Sequence, residues 1–203
     1  RPRGRRRYRR WRRPGTAPAA PPPHVIGAAP GSLAAGRVSA IPGGGREVHV
    51  PAGELAVSND PREVLTTSLG GSGLVELVHD AGVRVGGLLH FMLPGSAPAG
   101  DPRVTQPGRY CDTGVPLLFQ SAYALGAARE RLVVRVAGGG QLLAGGPAMD
   151  LGKRNYLALR KLFWKNGVEI NAERVGGQAA RSVSLLIFSG EIVVAEDGVE
   201  NLL

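Results

Sequence analysis

Residues 67–90, TSLGGSGLVELVHDAGVRVGGLLH, decide the reading of this chain. GLVELVHD reads as a mostly apolar strand and VRVGGLLHFMLP as a second. Asp80-Ala81-Gly82 is the tight connection that lets them pair. The second run is apolar almost throughout, which predicts a strand buried on both faces rather than one with a wet side. A Gly-Ser-rich turn, Gly70-Gly71-Ser72-Gly73, feeds the first strand, and His90 stands in the second. The exception to the apolar pattern is Glu76, an acid in the middle of the first strand.

Working outward, REVHVPAGELAV predicts two short strands around a Pro-Ala-Gly turn, and VLTT a third. YCDTGVPLLFQSAYALGA has helical spacing, with Val115, Leu118, Phe119, Ala122 and Tyr123 on one face and Asp112 or Thr113 as its expected cap. ERLVVRVAGGG is a strand running into a glycine turn. Residues 151–166, LGKRNYLALRKLFWKN, form the clearest helix, with Leu159, Leu162 and Phe163 on its apolar face and Gly167 as C-cap. VEINAERVGG reads as strand and loop, and SVSLLIFSGEIVVAED as a hairpin turning at Ser189-Gly190. The order strands, helix, strand, helix, strands predicts a mixed α/β domain with helices on one side of sheet structure, not a doubly wound sheet.

The chain has 203 residues, 43% of them apolar, with 31 Gly and 16 Pro. That is enough for one domain of ordinary size plus a tail. Residues 1–13, RPRGRRRYRRWRR, hold nine of the 25 basic residues and no acid. The remaining 16 basic residues balance the 16 acids, so the net charge of +9 sits in one arm. Residues 1–45 continue with Pro, Gly and Ala and are expected to be disordered; 46–203 are expected to form the domain. An arm with interleaved Tyr8 and Trp11 has the composition to contact nucleic acid or an anionic membrane, although charge runs are ordinarily just solvated. No transmembrane helix and no secretory signal are expected, and the single Cys111 fits a reducing, cytoplasmic setting.

Few chemical motifs survive inspection. Gly70–Gly73 lacks the Lys-Ser/Thr ending of a phosphate loop and precedes a strand rather than a helix. His24, His49 and His79 have no metal-ligand spacing, and no metal or cofactor is expected. A lone histidine in an apolar strand, such as His90, is ordinarily a satisfied core residue. Cys111 is either a small buried hydrophobe or, at a helix N-terminus, a thiol with lowered pKa.

Six ordered blocks nevertheless resemble one family. PAGELAVSNDPREVLTTSLGGSG, GGLLHFMLP, PGRYCDTGV, VAGGG, DLGKRN and VGGQAARSV resemble, in order, the blocks of CheD, the bacterial chemoreceptor glutamine deamidases. The resemblance runs from about Val50 to Val194. It implies an α/β layered sandwich of mixed sheets with helices packed on one side. It also implies an activity: hydrolysis of glutamine side chains on methyl-accepting chemotaxis proteins to glutamate, releasing ammonia. The implied partners are those receptors and a CheC-type phosphatase. In the implied mechanism a cysteine thiolate attacks the carboxamide carbon. A histidine takes the thiol proton and returns one to the leaving ammonia, a threonine orients the histidine, and water hydrolyses the thioester.

Carried over, the histidine falls on His90, the threonine on Thr67 and the cysteine on Gly73, without a gap. Glycine offers no nucleophile. Two readings follow: an active deamidase with a displaced nucleophile, for which Cys111 is the remote candidate, or a catalytically silent module that binds receptor helices or a CheC-type protein. The chemistry of Gly73 favours the silent reading.

Overall fold

A computed structural model describes residues 45–96, 106–141 and 151–203. The expected arm, residues 1–45, lies outside the described residues but for its last position. Ten strands and two long helices follow in chain order: β1 Arg46–His49, β2 Leu55–Ser58, β3 Glu63–Leu69, β4 Leu74–Asp80, β5 Val85–Phe91, α1 Cys111–Ala124, β6 Val133–Gly138, α2 Leu151–Asn166, β7 Ala172–Val175, β8 Arg181–Leu186, β9 Ile192–Glu196 and β10 Val199–Leu202.

The strands form two five-stranded sheets, ordered β1-β3-β8-β9-β10 and β2-β5-β4-β6-β7. Both are mixed: β1 runs parallel to β3 and β6 parallel to β7, and the other pairings are antiparallel. The second sheet lies in the middle. One face packs on the first sheet through Leu65, Val75, Leu77, Leu88, Val183, Leu185 and Ile187. Its other face packs on α1 and α2 through Leu74, Val78, Leu89, Phe91, Leu118, Phe119, Leu159 and Phe163. Phe119 and Phe163 meet edge to face at 6.3 Å, joining the two helices. The layers are sheet, sheet, helices, the sandwich expected from the sequence.

β4 and β5 are buried along their whole length. Alternation sends Val75, Leu77 and Leu88 to one core and Leu74, Val78 and Leu89 to the other. Two consecutive glycines in β5 let both covering layers come close. A methyl on Gly86 would lie 2.5 Å from Ile187 Cδ1 in the β8–β9 turn, and one on Gly87 would lie 2.9 Å from Leu118 Cδ1 of α1. The β8–β9 hairpin is in place, and His79 Nε2 of β4 meets the Ile187 carbonyl at its turn.

The two short strands expected around the Pro-Ala-Gly turn are present, and that turn crosses from one sheet to the other. Two local expectations need correction. The β4–β5 connection is longer than Asp80-Ala81-Gly82, because the turn runs to Arg84 and the strand starts at Val85. Neither Asp112 nor Thr113 caps α1. Tyr110 is the N-cap, without a side-chain bond, and Cys111 N–H is taken by the Leu93 carbonyl. Asp112 instead accepts the Ser96 N–H and hydroxyl, while Thr113 donates to the Pro107 carbonyl.

Glu76 is the one discordant residue of β4. It is fully buried on the helix-facing side between Leu74 and Val78, and neither carboxyl oxygen has a hydrogen-bond partner among the described residues. Burial raises its pKa well above the ordinary 4.5. A carboxyl of this kind keeps its proton in the fold. That contribution is complete below the unfolded value and is lost as pH rises through the folded one, so stability declines from the acid side upward. Glu76→Leu should raise stability near neutral pH by about 2 kcal/mol, or about 6 °C in Tm. The gain should shrink as the pH approaches 4.5. Thermal unfolding of both proteins across that range measures it.

Candidate functional site

Thr67 of β3 and His90 of β5 come from different sheets and meet between them. Both are buried. Val75, the partner of His90 across the β4–β5 pairing, belongs to the inter-sheet core, as does Leu88 two residues before it. His90 therefore points away from the helices and towards the first sheet. The crossing turn between β1 and β2 ties the two residues together. Val50 N–H donates to the Thr66 carbonyl, Gly53 N–H to the His90 carbonyl, and His90 N–H to the Glu54 carbonyl.

The hydroxyl of Thr67 sets the tautomer of His90. Oγ1 lies 2.7 Å from the Val50 carbonyl oxygen, which can only accept, so its single proton goes there. Oγ1 also lies 2.9 Å from His90 Nδ1, so that contact must be an Nδ1–H donating to the hydroxyl. Nε2 is left with its lone pair free, the form a general base needs. Burial, and to a lesser degree the charge of His49, lowers the His90 pKa to about 4. The ring is neutral at physiological pH. The stability this gives is present above the ordinary 6.5 and is lost as pH falls through about 4.

Nε2 faces Gly73. A Cβ there would stand 2.5 Å from His90 Nε2 and 3.1 Å from Met92 Sδ. Gly73 is not among the residues with positive φ, so its backbone does not require glycine. The imidazole and the thioether occupy the room that a side chain would take. Gly73 also closes onto the glycine turn after β6, where Gly139 N–H donates to the Gly73 carbonyl at 2.7 Å.

Asn155 is the residue that sequence reasoning missed. It lies on the inner face of α2, fully buried, one turn before Leu159. Its side-chain amide donates to the Ser72 carbonyl at 3.0 Å and to the Met92 carbonyl at 2.9 Å. It thereby clamps the turn before Gly73 to the chain leaving β5. Its Oδ1 has no partner among the described residues. The available signal was a polar residue on the apolar stripe of the clearest helix.

Cys111 is not part of this arrangement. It sits at the start of α1 in the helix-facing core, buried, on the opposite face of the middle sheet from His90. Burial first, then the charges of Glu76 and Asp112, pushes its thiol up rather than down. Of the two readings of Cys111, its burial fits the small buried hydrophobe, since desolvation outweighs any activation by the helix terminus. Ser72 is half-exposed in the bend. Among the described residues no cluster of three or more His, Cys, Asp or Glu could hold a metal ion. A cleft of about 390 Å3 opens beside the site, lined by Gly139, Gly140, Gln141, Lys153, Tyr156 and Gln178 among others.

These features define a layered α/β protein with a buried hydroxyl–imidazole pair where the two sheets meet, its base aimed at a glycine. The family model for CheD chemotactic sensory transduction matches residues 92–196. A "Probable chemoreceptor glutamine deamidase CheD 1" of Syntrophus aciditrophicus is 41% identical over 152 residues, 75% of this chain and 95% of the relative. A "Probable chemoreceptor glutamine deamidase CheD 2" of Anaeromyxobacter dehalogenans is 44% identical over 147 residues, 72% and 92% of the two chains. A third, from Solibacter usitatus, is 38% identical over 152 residues, 75% and 90% of the two chains. The chain belongs to the CheD family. The family match starts at Met92, just past His90, so Thr67, Gly73 and His90 lie ahead of it. No helix among the described residues is long and apolar enough to cross a membrane.

In nitrogen NMR, the His90 ring should show a protonated Nδ1 and a bare Nε2 from neutral pH down to about 5, with its midpoint near 4. Thr67→Val should leave Val50 O and His90 Nδ1–H unpaired, lower stability by about 2 kcal/mol and release the tautomer preference. Chemical denaturation and the same ring spectra test both effects.

Proposed function

We propose that this CheD-family chain engages methyl-accepting chemotaxis receptors without deamidating them. The observation that carries this reading is the geometry at Gly73: the base is aimed, the orienting hydroxyl is in place, and the position they serve carries no nucleophilic atom. Its relatives' names supply the receptor as target. By the roles that the family resemblance implies, Thr67 orients His90, and His90 would take a thiol proton from position 73. Loss of the nucleophile from such a unit lowers turnover on the order of a millionfold. A displaced nucleophile at Cys111 gains no support from a thiol buried in the other core with a raised pKa. Binding of a CheC-type phosphatase is the second partner that the family resemblance suggests.

The test is intact-mass analysis of a purified receptor cytoplasmic fragment incubated with the chain. Binding is expected without the gain of about one dalton that marks Gln to Glu hydrolysis. Turnover by the unaltered chain overturns the reading.

Gly73→Cys restores the missing atom. For the new thiol to fit, the His90 ring and Met92 must give way by up to about an ångström. Once seated, the thiol passes its proton to Nε2, and the thiolate–imidazolium pair holds the His90 pKa above its value in the unaltered chain. Alkylation of that thiol at mildly acid pH should outpace that of free cysteine. Deamidation by Gly73→Cys, abolished again in Gly73→Cys/His90→Ala, is the expected gain of function.

A further inference from the structure

α2 has a second face that is largely exposed among the described residues. Its inner stripe, Gly152, Asn155, Leu159 and Phe163, is buried. The opposite stripe carries Leu157 and Trp164, which are 55% and 78% exposed. They are seven residues apart, hence on one side of the helix, about 10.5 Å from each other along the axis. Cations flank this spine on both sides at the same heptad spacing: Lys153 and Arg160 on one, Arg154 and Lys161 on the other, all exposed. α2 contains no acidic residue. Arg160 reaches Glu173 and the Tyr156 hydroxyl, whereas Lys153, Arg154 and Lys161 have no ion pair among the described residues.

Heptad-spaced apolar anchors between two rows of like charge match the seam of a coiled coil whose partner bears the opposite charge. A large exposed tryptophan is the residue type that dominates such contacts. A membrane surface fits the stripe less well, because α2 buries its broad apolar face in the core and shows only two apolar residues outward. A nucleic-acid backbone calls for cations but not for an apolar spine. The Arg-rich arm has the wrong sign to lie there. The seam also leads to the site. Asn155 on its inner side clamps Ser72 and Met92, and Lys153 lines both the seam and the cleft beside Gly139 and Gly140.

We propose that the outward stripe of α2, with Leu157 and Trp164 as its spine and Lys153, Arg154, Arg160 and Lys161 as its flanks, docks an acidic amphipathic helix of the receptor. This rests on the receptor-binding reading above and names the surface that does the binding. Opposite charge on the partner supplies register and rate of encounter, and the two apolar side chains supply most of the affinity.

The experiment compares the full chain with Trp164→Ser and with Arg154→Glu/Lys161→Glu, measuring affinity for a receptor cytoplasmic fragment from the same organism. All substituted positions are exposed, and unchanged thermal unfolding confirms the fold. The arm is present in every variant and cancels in the comparison. Trp164→Ser should weaken binding about tenfold or more. The charge reversal should weaken it comparably and flatten its salt dependence between about 50 and 500 mM. Receptor binding by the unaltered chain that both variants retain overturns the docking surface and leaves the receptor reading standing. No binding by the unaltered chain overturns the receptor reading and this surface with it. Trp164-dependent binding to anionic lipid vesicles, to RNA or to a CheC-type protein, with none to receptor, reassigns the stripe and overturns the proposal.

Discussion

The middle sheet is covered on both faces, and the consequences of that constraint run through the molecule. β4 and β5 have no wet side on which to place a polar group. Two glycines in β5 are needed so that the first sheet and α1 can both approach. Glu76 has no hydrogen-bond partner among the described residues, and burial favours its protonated form. His90 loses its solvation, stays neutral and depends on Thr67 for its side-chain hydrogen bond. A surface histidine would have water for that purpose and no fixed tautomer.

The crossing turn from β1 to β2 converts this burial into geometry. Val50 accepts the only proton of the Thr67 hydroxyl, and the turn fixes His90 through both of its backbone groups. One carbonyl thus dictates which imidazole nitrogen is bare, and the β-strand directs that nitrogen at residue 73. The tautomer, charge state and direction of the His90 ring are all set by the fold itself. Position 73 is glycine, and His90 and Met92 occupy the space that a side chain there would take.

Cys111, the cysteine that the chain does possess, lies in a different layer from His90. It lies in the helix-facing core that Glu76 also faces, where burial first and then the Glu76 carboxyl disfavour its thiolate. His90 and Thr67 belong to the inter-sheet side. A strand is one residue thick, yet the period of two separates these groups as firmly as distance would. α2 links the layers: its inner asparagine clamps the strand ends around position 73, and its outer stripe exposes Leu157 and Trp164.

Much of the fold was legible in the residues, because apolar periodicity reports burial directly. The unbroken apolar run of β5 announced a strand covered on both sides, and the spacing of Leu159 and Phe163 gave the inner face of α2. Helix ends were less legible, since the expected caps Asp112 and Thr113 found better partners elsewhere in the tertiary structure. The sheet assignment of β1 and β2 was hidden for a related reason: a short turn reads alike whether it folds a hairpin or crosses between sheets. By itself the sequence carried the mixed α/β class in its local pattern, while the layered sandwich and the candidacy of Thr67, Gly73 and His90 came from the resemblance of its ordered blocks to the CheD family. Only the tertiary structure decided which nitrogen of His90 is bare, that Cys111 lies on the wrong side of the middle sheet, and that Asn155 holds the site. Those depend on contacts between residues far apart in the chain, about which local pattern carries no information.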